Sequence, residues 1–136
     1  MSLLGYCKIV PSIVPTAGDI GACTAAEIDC TGFDRVCHVI VLGAAAAGGK
    51  FDYKIQEAAA TGMSAAADIT DADITQVVAA GASKVYAIDV PVNPAKPYQI
   101  ADASVGTATF ANGAVAILYN GSGTYPKIAA TEAIII

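Results

Sequence analysis

The chain has 136 residues, of which 14% are charged and 55% hydrophobic, with a net charge of −5, one histidine and no tryptophan. That length suits one domain able to bury its own core. The acidic balance and seven scattered basic residues argue against nucleic acid and anionic membrane surfaces as partners. Catalysis needs convergent polar groups, and their scarcity favours a structural or assembly role over an enzyme.

In chain order, residues 1–20 carry Pro11 and Pro15 and little alternation, so they read as an extended arm or an edge segment. Met1-Ser2-Leu3-Leu4 has no basic stretch followed by an apolar core, so no export signal is read and an intracellular origin is expected. Cysteines stand at positions 7, 23, 30 and 37 without a Cys-x-x-Cys pair. They are expected as small buried hydrophobes, with a disulfide or a metal as the alternative. Residues 25–30 read as a first strand, closed by Thr31-Gly32.

Residues 35–42 (RVCHVIVL) form the strongest strand signal, apolar on both faces as in a strand covered on both sides. The most apolar stretch, 36–49, is interrupted by His38 and falls short of the ~20 residues a bilayer needs. After a small-residue loop at 44–49, Phe51, Tyr53 and Ile55 alternate with Asp52, Lys54 and Gln56. These two strands and their glycine-containing connection predict a hairpin.

Residues 58–67 (AAATGMSAAA) leave helix and loop open, alanine favouring the first, Gly62 and Ser64 the second. Asp71 is placed to cap a short helix carrying Ile74, Val77 and Val78, although the β-branched cluster favours a strand at 74–78. Residues 84–90 (KVYAIDV) are a further strand, ended by the proline-rich corner 91–97. Residues 98–103 and 107–110 flank a turn at Gly106. Asn112-Gly113 carries a type I′ hairpin signal, 114–119 (AVAILY) is an apolar strand, and 120–123 is a turn.

Six to eight short strands at near-regular spacing predict an all-β fold, a single-domain antiparallel β-sandwich or barrel of jelly-roll or Ig-like type, with room for one short helix. The sandwich is expected over 21–126, after the arm at 1–20 and before a C-terminal tail at 127–136 that is either disordered or docked on a neighbouring copy. The surplus apolar side of 36–42 and 114–119 is expected to meet another subunit.

No residue is assigned a catalytic, cofactor or metal role. A hydrolase would require His38 exposed beside a nucleophile, and its apolar strand instead points to a core or interface histidine. Asp68, Asp71 and Asp73 lack the glycine and terminal Glu of an EF-hand loop and read as a solvated turn. Glu57, Asp29 and Asp34 could serve glycoside chemistry only if paired in space. Gly48-Gly49-Lys50 is not followed by Ser or Thr, so it is a turn and not a phosphate cradle. Tyr53 and Tyr86 are expected to pack within strands. Tyr98, Tyr119 and Tyr125, near turns, are interface candidates together with Ile134, Ile135 and Ile136 of the tail.

From about Asp34 to Tyr125, the order of features resembles small proteins encoded in tailed-phage and prophage structural gene clusters. The resemblance rests on VCHVIVL at 36–42, YKIQE at 53–57, the loop at 66–75, KVYAID at 84–89, Lys96-Pro97-Tyr98 and GAVAIL at 113–118. The chain departs from that group at 58–67, where members carry a Ser-Asp-Gly turn and an aromatic, and at Tyr98-Gln99-Ile100, where they carry Tyr-Val-Arg. The resemblance implies a virion-associated β-sandwich of head-decoration or head-accessory type, and no catalytic residue.

The expected function is therefore a non-enzymatic structural protein of a phage or prophage particle, found in the virion or in the bacterial cytoplasm during assembly. Its expected partners are itself, as a homo-oligomer with a trimer in view, and a capsid protein. The rival expectation is a carbohydrate- or ligand-binding β-sandwich module.

Overall fold

Nine strands account for nearly all the regular structure in the computed structural model, which describes residues 6–121. They are β1 (Cys7–Thr16), β2 (Gly21–Ala22), β3 (Ile28–Asp29), β4 (Arg35–Ala45), β5 (Lys50–Ala58), β6 (Ala67–Val78), β7 (Val85–Pro91), β8 (Tyr98–Gly106) and β9 (Phe110–Tyr119). One sheet has the order β1-β9-β4-β7 and the other β2-β8-β5-β6, with β3 also on β8; every pairing is antiparallel. If β2 and β3 are taken as one interrupted strand, this is the eight-position order of a double-sheet jelly roll.

Alternation builds the core. Val36, Ile40 and Leu42 of β4 and Ala114, Ala116 and Leu118 of β9 point inward from the first sheet. Phe51, Tyr53 and Ile55 of β5 and Ala101, Ala103 and Val105 of β8 point inward from the second. Phe51 stacks on Tyr53 with ring centroids 6.2 Å apart and lies 6.0 Å from Phe110, joining the two layers near the end where β5 and β9 begin.

The segment read as an arm or edge segment is the edge strand β1, paired with β9 from Cys7 to Thr16 through two register shifts near its prolines. The strand expected at 25–30 is reduced to Ile28–Asp29. Residues 58–67 form a loop with one 3-10 turn at Thr61–Met63, with Gly62, Met63 and Ala65 in the left-handed region. The helix weighed after Asp71 is instead the long strand β6; Asp71 itself sits at φ +60 where the register shifts.

Two expectations are corrected. β4 and β5 do not form a hairpin, because they belong to different sheets. Their connection crosses the sandwich beside the β8–β9 crossing: Ala46 N–H donates to Thr109 O (2.9 Å), and Gly49 N–H to Ala46 O (2.9 Å). Both strands carry an inner face that is apolar but for His38 and the Tyr53 hydroxyl, and crossing lets these faces meet. Asn112-Gly113 is likewise not a turn but lies within β9. Asn112 is buried and its Nδ2 donates to Phe110 O (2.9 Å). A Cβ at Gly113 would approach the Pro15 ring to 3.1 Å, so the glycine allows β1 to close over β9. Gly18, at φ +76, is tighter still, since a Cβ there would lie 1.7 Å from Phe110 O.

Candidate self-association face

The outward residues of the first sheet are set by the same parity that fills the core. Ile9 and Pro11 of β1 stand opposite Ile117 and Val115 of β9, which stand opposite Cys37 and Val39 of β4; Val39 and Val41 in turn face Ala87 and Val85 of β7. This face is apolar and open: Val41 is 52% exposed, Val85 64% and Val115 38%. The expectation that residues 35–42 would be covered on both sides fails within the chain, because only the inner side of β4 is buried.

The outward face of the second sheet is the opposite in chemistry. Lys54 Nζ bonds Asp68 at 2.9 Å and Asp102 at 3.4 Å. Gln56 Nε2 donates to Asp68 (2.7 Å), and Gln76 Nε2 donates to both Asp52 oxygens (3.1 and 3.0 Å). These bonds hold Asp68 below the usual carboxylate range, the Gln56 bond most and the Lys54 bond next. The aspartates expected to form a solvated turn thus lie on a strand and its bulge. Among the described residues no group of three or more His, Cys, Asp or Glu side chains could hold a metal ion.

At one end of the apolar face, Arg35, Asp89 and Tyr119 form a polar corner. Arg35 Nε donates to Asp89 Oδ1 (3.1 Å) and to Tyr119 Oη (3.2 Å), and the Tyr119 hydroxyl donates to Asp89 Oδ2. The bond to Asp89 pushes the Tyr119 hydroxyl up, with burial second. At the other end, the bulge of β1 raises Val14 and Pro15 beside Val41, Gly43 and Val115, enclosing a groove of about 480 Å³.

Of the interface candidates, Tyr119 ends β9 in the first sheet and Tyr98 begins β8 in the second, so the fold places them in different layers. Tyr125, Ile134, Ile135 and Ile136 lie outside the described residues. His38 is fully buried between the sheets, and its Nε2 donates to Gln99 Oε1 (2.9 Å) across the sandwich. Burial lowers its pKa and the Gln99 bond opposes this. The exposed ring that the hydrolase reading required is absent at this position. Tyr53, likewise buried, has its hydroxyl pushed up to about 12 by desolvation, against a smaller effect of Ser12.

Sequence reasoning missed Arg35, Asp89 and the β7 part of this face, while its expectation that the surplus apolar side of 36–42 and 114–119 meets another subunit falls on this surface. The signal was available in the apolar odd positions of β4 and β7, but their cover depends on the sheet order.

No model of a known protein family matches the sequence, and no curated protein matches it significantly. The resemblance to phage structural proteins therefore gains no support from sequence families. A chain in the structure of infectious bursal disease virus, Gx strain, has a similar fold: TM-score 0.54 at 10% identity over 89% of this chain and 33% of that one. A Clostridium thermocellum xylanase 10B structure, CBM22-1 and GH10 modules complexed with xylohexaose, matches at TM-score 0.45 and 11% identity, over 90% of this chain and 27% of that one. Bacillus endospore appendages, described as disulfide-linked pili, match at TM-score 0.39 and 12% identity, over 90% and 96%. This chain spans about a third of the virus chain and about a quarter of the xylanase chain. What the virus chain shares with this one is the fold.

Proposed function

We propose that this protein is a non-enzymatic structural component that works by self-association through the outward face of its first sheet. The observation that carries this is the contrast between its outer faces, apolar on the first sheet and laced with aspartate, lysine and glutamine on the second. A soluble sandwich core needs one apolar face per sheet, and the first sheet has two. Four strands at ~4.8 Å spacing and seven residues at ~3.3 Å give roughly 440 Å² of flat surface a side. Two copies would bury on the order of 900 Å², the size of a weak or reversible contact.

The setting we favour is a phage or prophage particle, with the protein as a head-decoration or accessory component that meets a capsid protein as well as itself. The jelly-roll strand order and the sequence resemblance support that setting, although the fold also serves lectin domains. A ligand-binding reading has one observation in its favour, the groove beside the β1 bulge. Its lining of Pro11, Val14, Pro15, Val41 and neighbours carries no aromatic ring to stack on a sugar, so it suits an apolar chain.

Light scattering and sedimentation at micromolar concentration test the proposal. Concentration-dependent association weakened by Val39→Lys and Val115→Lys is expected, together with co-sedimentation on assembled capsids. A strict monomer that ignores capsids would refute it.

A further inference from the structure

Of the four sheet edges, three are blunted against pairing with another chain. β1 carries Pro11 and Pro15 and two register shifts. β6 has two register shifts and the charges Asp68, Asp71 and Asp73. β2 and β3 are two residues each. Such devices are how sheets avoid edge-to-edge addition. β7 carries one charge, Asp89, within its span and a proline, Pro91, only at its end, and its register with β4 runs unbroken from Arg35↔Pro91 to Val41↔Val85.

The backbone bonds show which groups of β7 are open. Leu42 N–H donates to Lys84 O (2.9 Å) and Val92 N–H to Asp34 O (2.8 Å), so the even-numbered residues bond to β4. The odd-numbered residues Val85, Ala87 and Asp89 therefore aim their N–H and C=O groups at an edge that no strand among the described residues covers. Arg35 Nη2 reaches the Asp89 carbonyl at 3.3 Å.

We propose that this edge is an interaction surface for the β7 strand of a second copy, the two strands pairing antiparallel about a two-fold axis at Ala87. Two-fold symmetry makes identical strands antiparallel. Centring on Ala87 sets Val85 against the partner copy's Asp89 and Ala87 against its own equivalent. The three pairs supply about six backbone bonds and require no N–H from Pro91. Charge agrees with this register: Asp89 meets valine, Lys84 meets Val90, and no like charges stand opposite. The product is an eight-stranded sheet whose apolar outer face runs unbroken across both copies. The inference rests on the self-association reading but uses the edge of the sheet and not its face.

Ala87→Pro is the direct test. The Ala87 N–H points away from β4, so proline removes an inter-copy donor while sparing the ladder. Sedimentation equilibrium should give association beyond a dimer for the parent, a dimer for Val115→Lys, in which the edge contact remains, and a monomer with unchanged circular dichroism for Val115→Lys combined with Ala87→Pro. Hydrogen exchange at Val85, Ala87 and Asp89 should slow at least tenfold as concentration rises. If Ala87→Pro disturbs the fold, Ala87→Lys decides, because it keeps every donor and sets two lysines face to face on the axis. A dimer that survives the folded Ala87 variant in the Val115→Lys background overturns the edge proposal, as do edge amides whose exchange ignores concentration. Association lost in Val115→Lys but kept in Ala87→Pro would overturn the edge and leave the face reading standing. The reverse pattern would support the edge and remove the face.

Discussion

His38 and Gln99 are the polar pair that crosses the apolar interior, and replacing one or both separates the energy of the bond from the cost of burying its halves. In Gln99→Leu the imidazole loses its partner while remaining fully buried, since its Nδ1 already has none among the described residues. An orphaned buried polar group costs about 1–3 kcal/mol. For a domain unfolding with a urea slope of about 1–3 kcal/mol per molar, this lowers the midpoint by roughly 1 M. His38→Leu orphans Gln99 in the same way and should cost a similar amount. The double variant replaces both groups by apolar side chains of like volume and also removes the unpartnered Gln99 Nε2. It should come within about 1 kcal/mol of the parent or exceed it. Urea titration of the four proteins at pH 7.5 completes the cycle. Losses that simply add in the double variant would refute the reasoning.

The same pair predicts an acid dependence. His38 has its folded-state pKa lowered by burial, so the unfolded chain takes up a proton that the native state refuses. Stability should fall as pH drops below about 6.5, by up to ~1.4 kcal/mol per unit, and level off below the folded value; denaturation of the double variant should lack this component. Gly18→Ala should lower stability by more than about 2 kcal/mol, because a Cβ in the left-handed region would collide with the Phe110 carbonyl; thermal melting reads the loss. Phe51→Ala removes the ring between Tyr53 and Phe110 and should cost about 3–5 kcal/mol in the same assay. Cys7 and Cys30 are fully buried, and burial pushes the Cys30 thiol up to about 12. A thiol reagent at pH 8 should reach neither before denaturant is added, whereas half-buried Cys37 should react first; equal native rates at Cys30 and Cys37 would contradict this.

What was legible in the sequence was local. The alternation of Phe51, Tyr53 and Ile55, the β-branched run at 35–42 and the edge character of Pro11 and Pro15 each follow from one strand's own residues. What was not legible was which strands become neighbours. β4 and β5 looked like a hairpin because a glycine-containing connection joined two strands, yet that connection spans the sandwich and borrows Thr109 O from the other crossing. Asn112-Gly113 looked like a turn because its residue types tolerate one. Its strand conformation is decided by pairing with Thr16 of β1 and with Val41 and Leu42 of β4, all distant in sequence. The surplus apolar side of 36–42 and 114–119 was legible in each strand's own residues, but its extension over Val85 and Ala87 of β7 was not, since that follows from the sheet order.

The aspartates of the second sheet carry a consequence for the thickness of any assembly. Asp52, Asp68, Asp73 and Asp102 share that outward surface with Lys54. Copies joined through their first sheets would turn this predominantly negative side away from one another, toward the surroundings. A third layer would have to bring two such sides together against their mutual repulsion. Stacking thereby stops at two molecules in depth at ordinary ionic strength. Concentrated salt, by screening those carboxylates, is the condition under which stacking would begin.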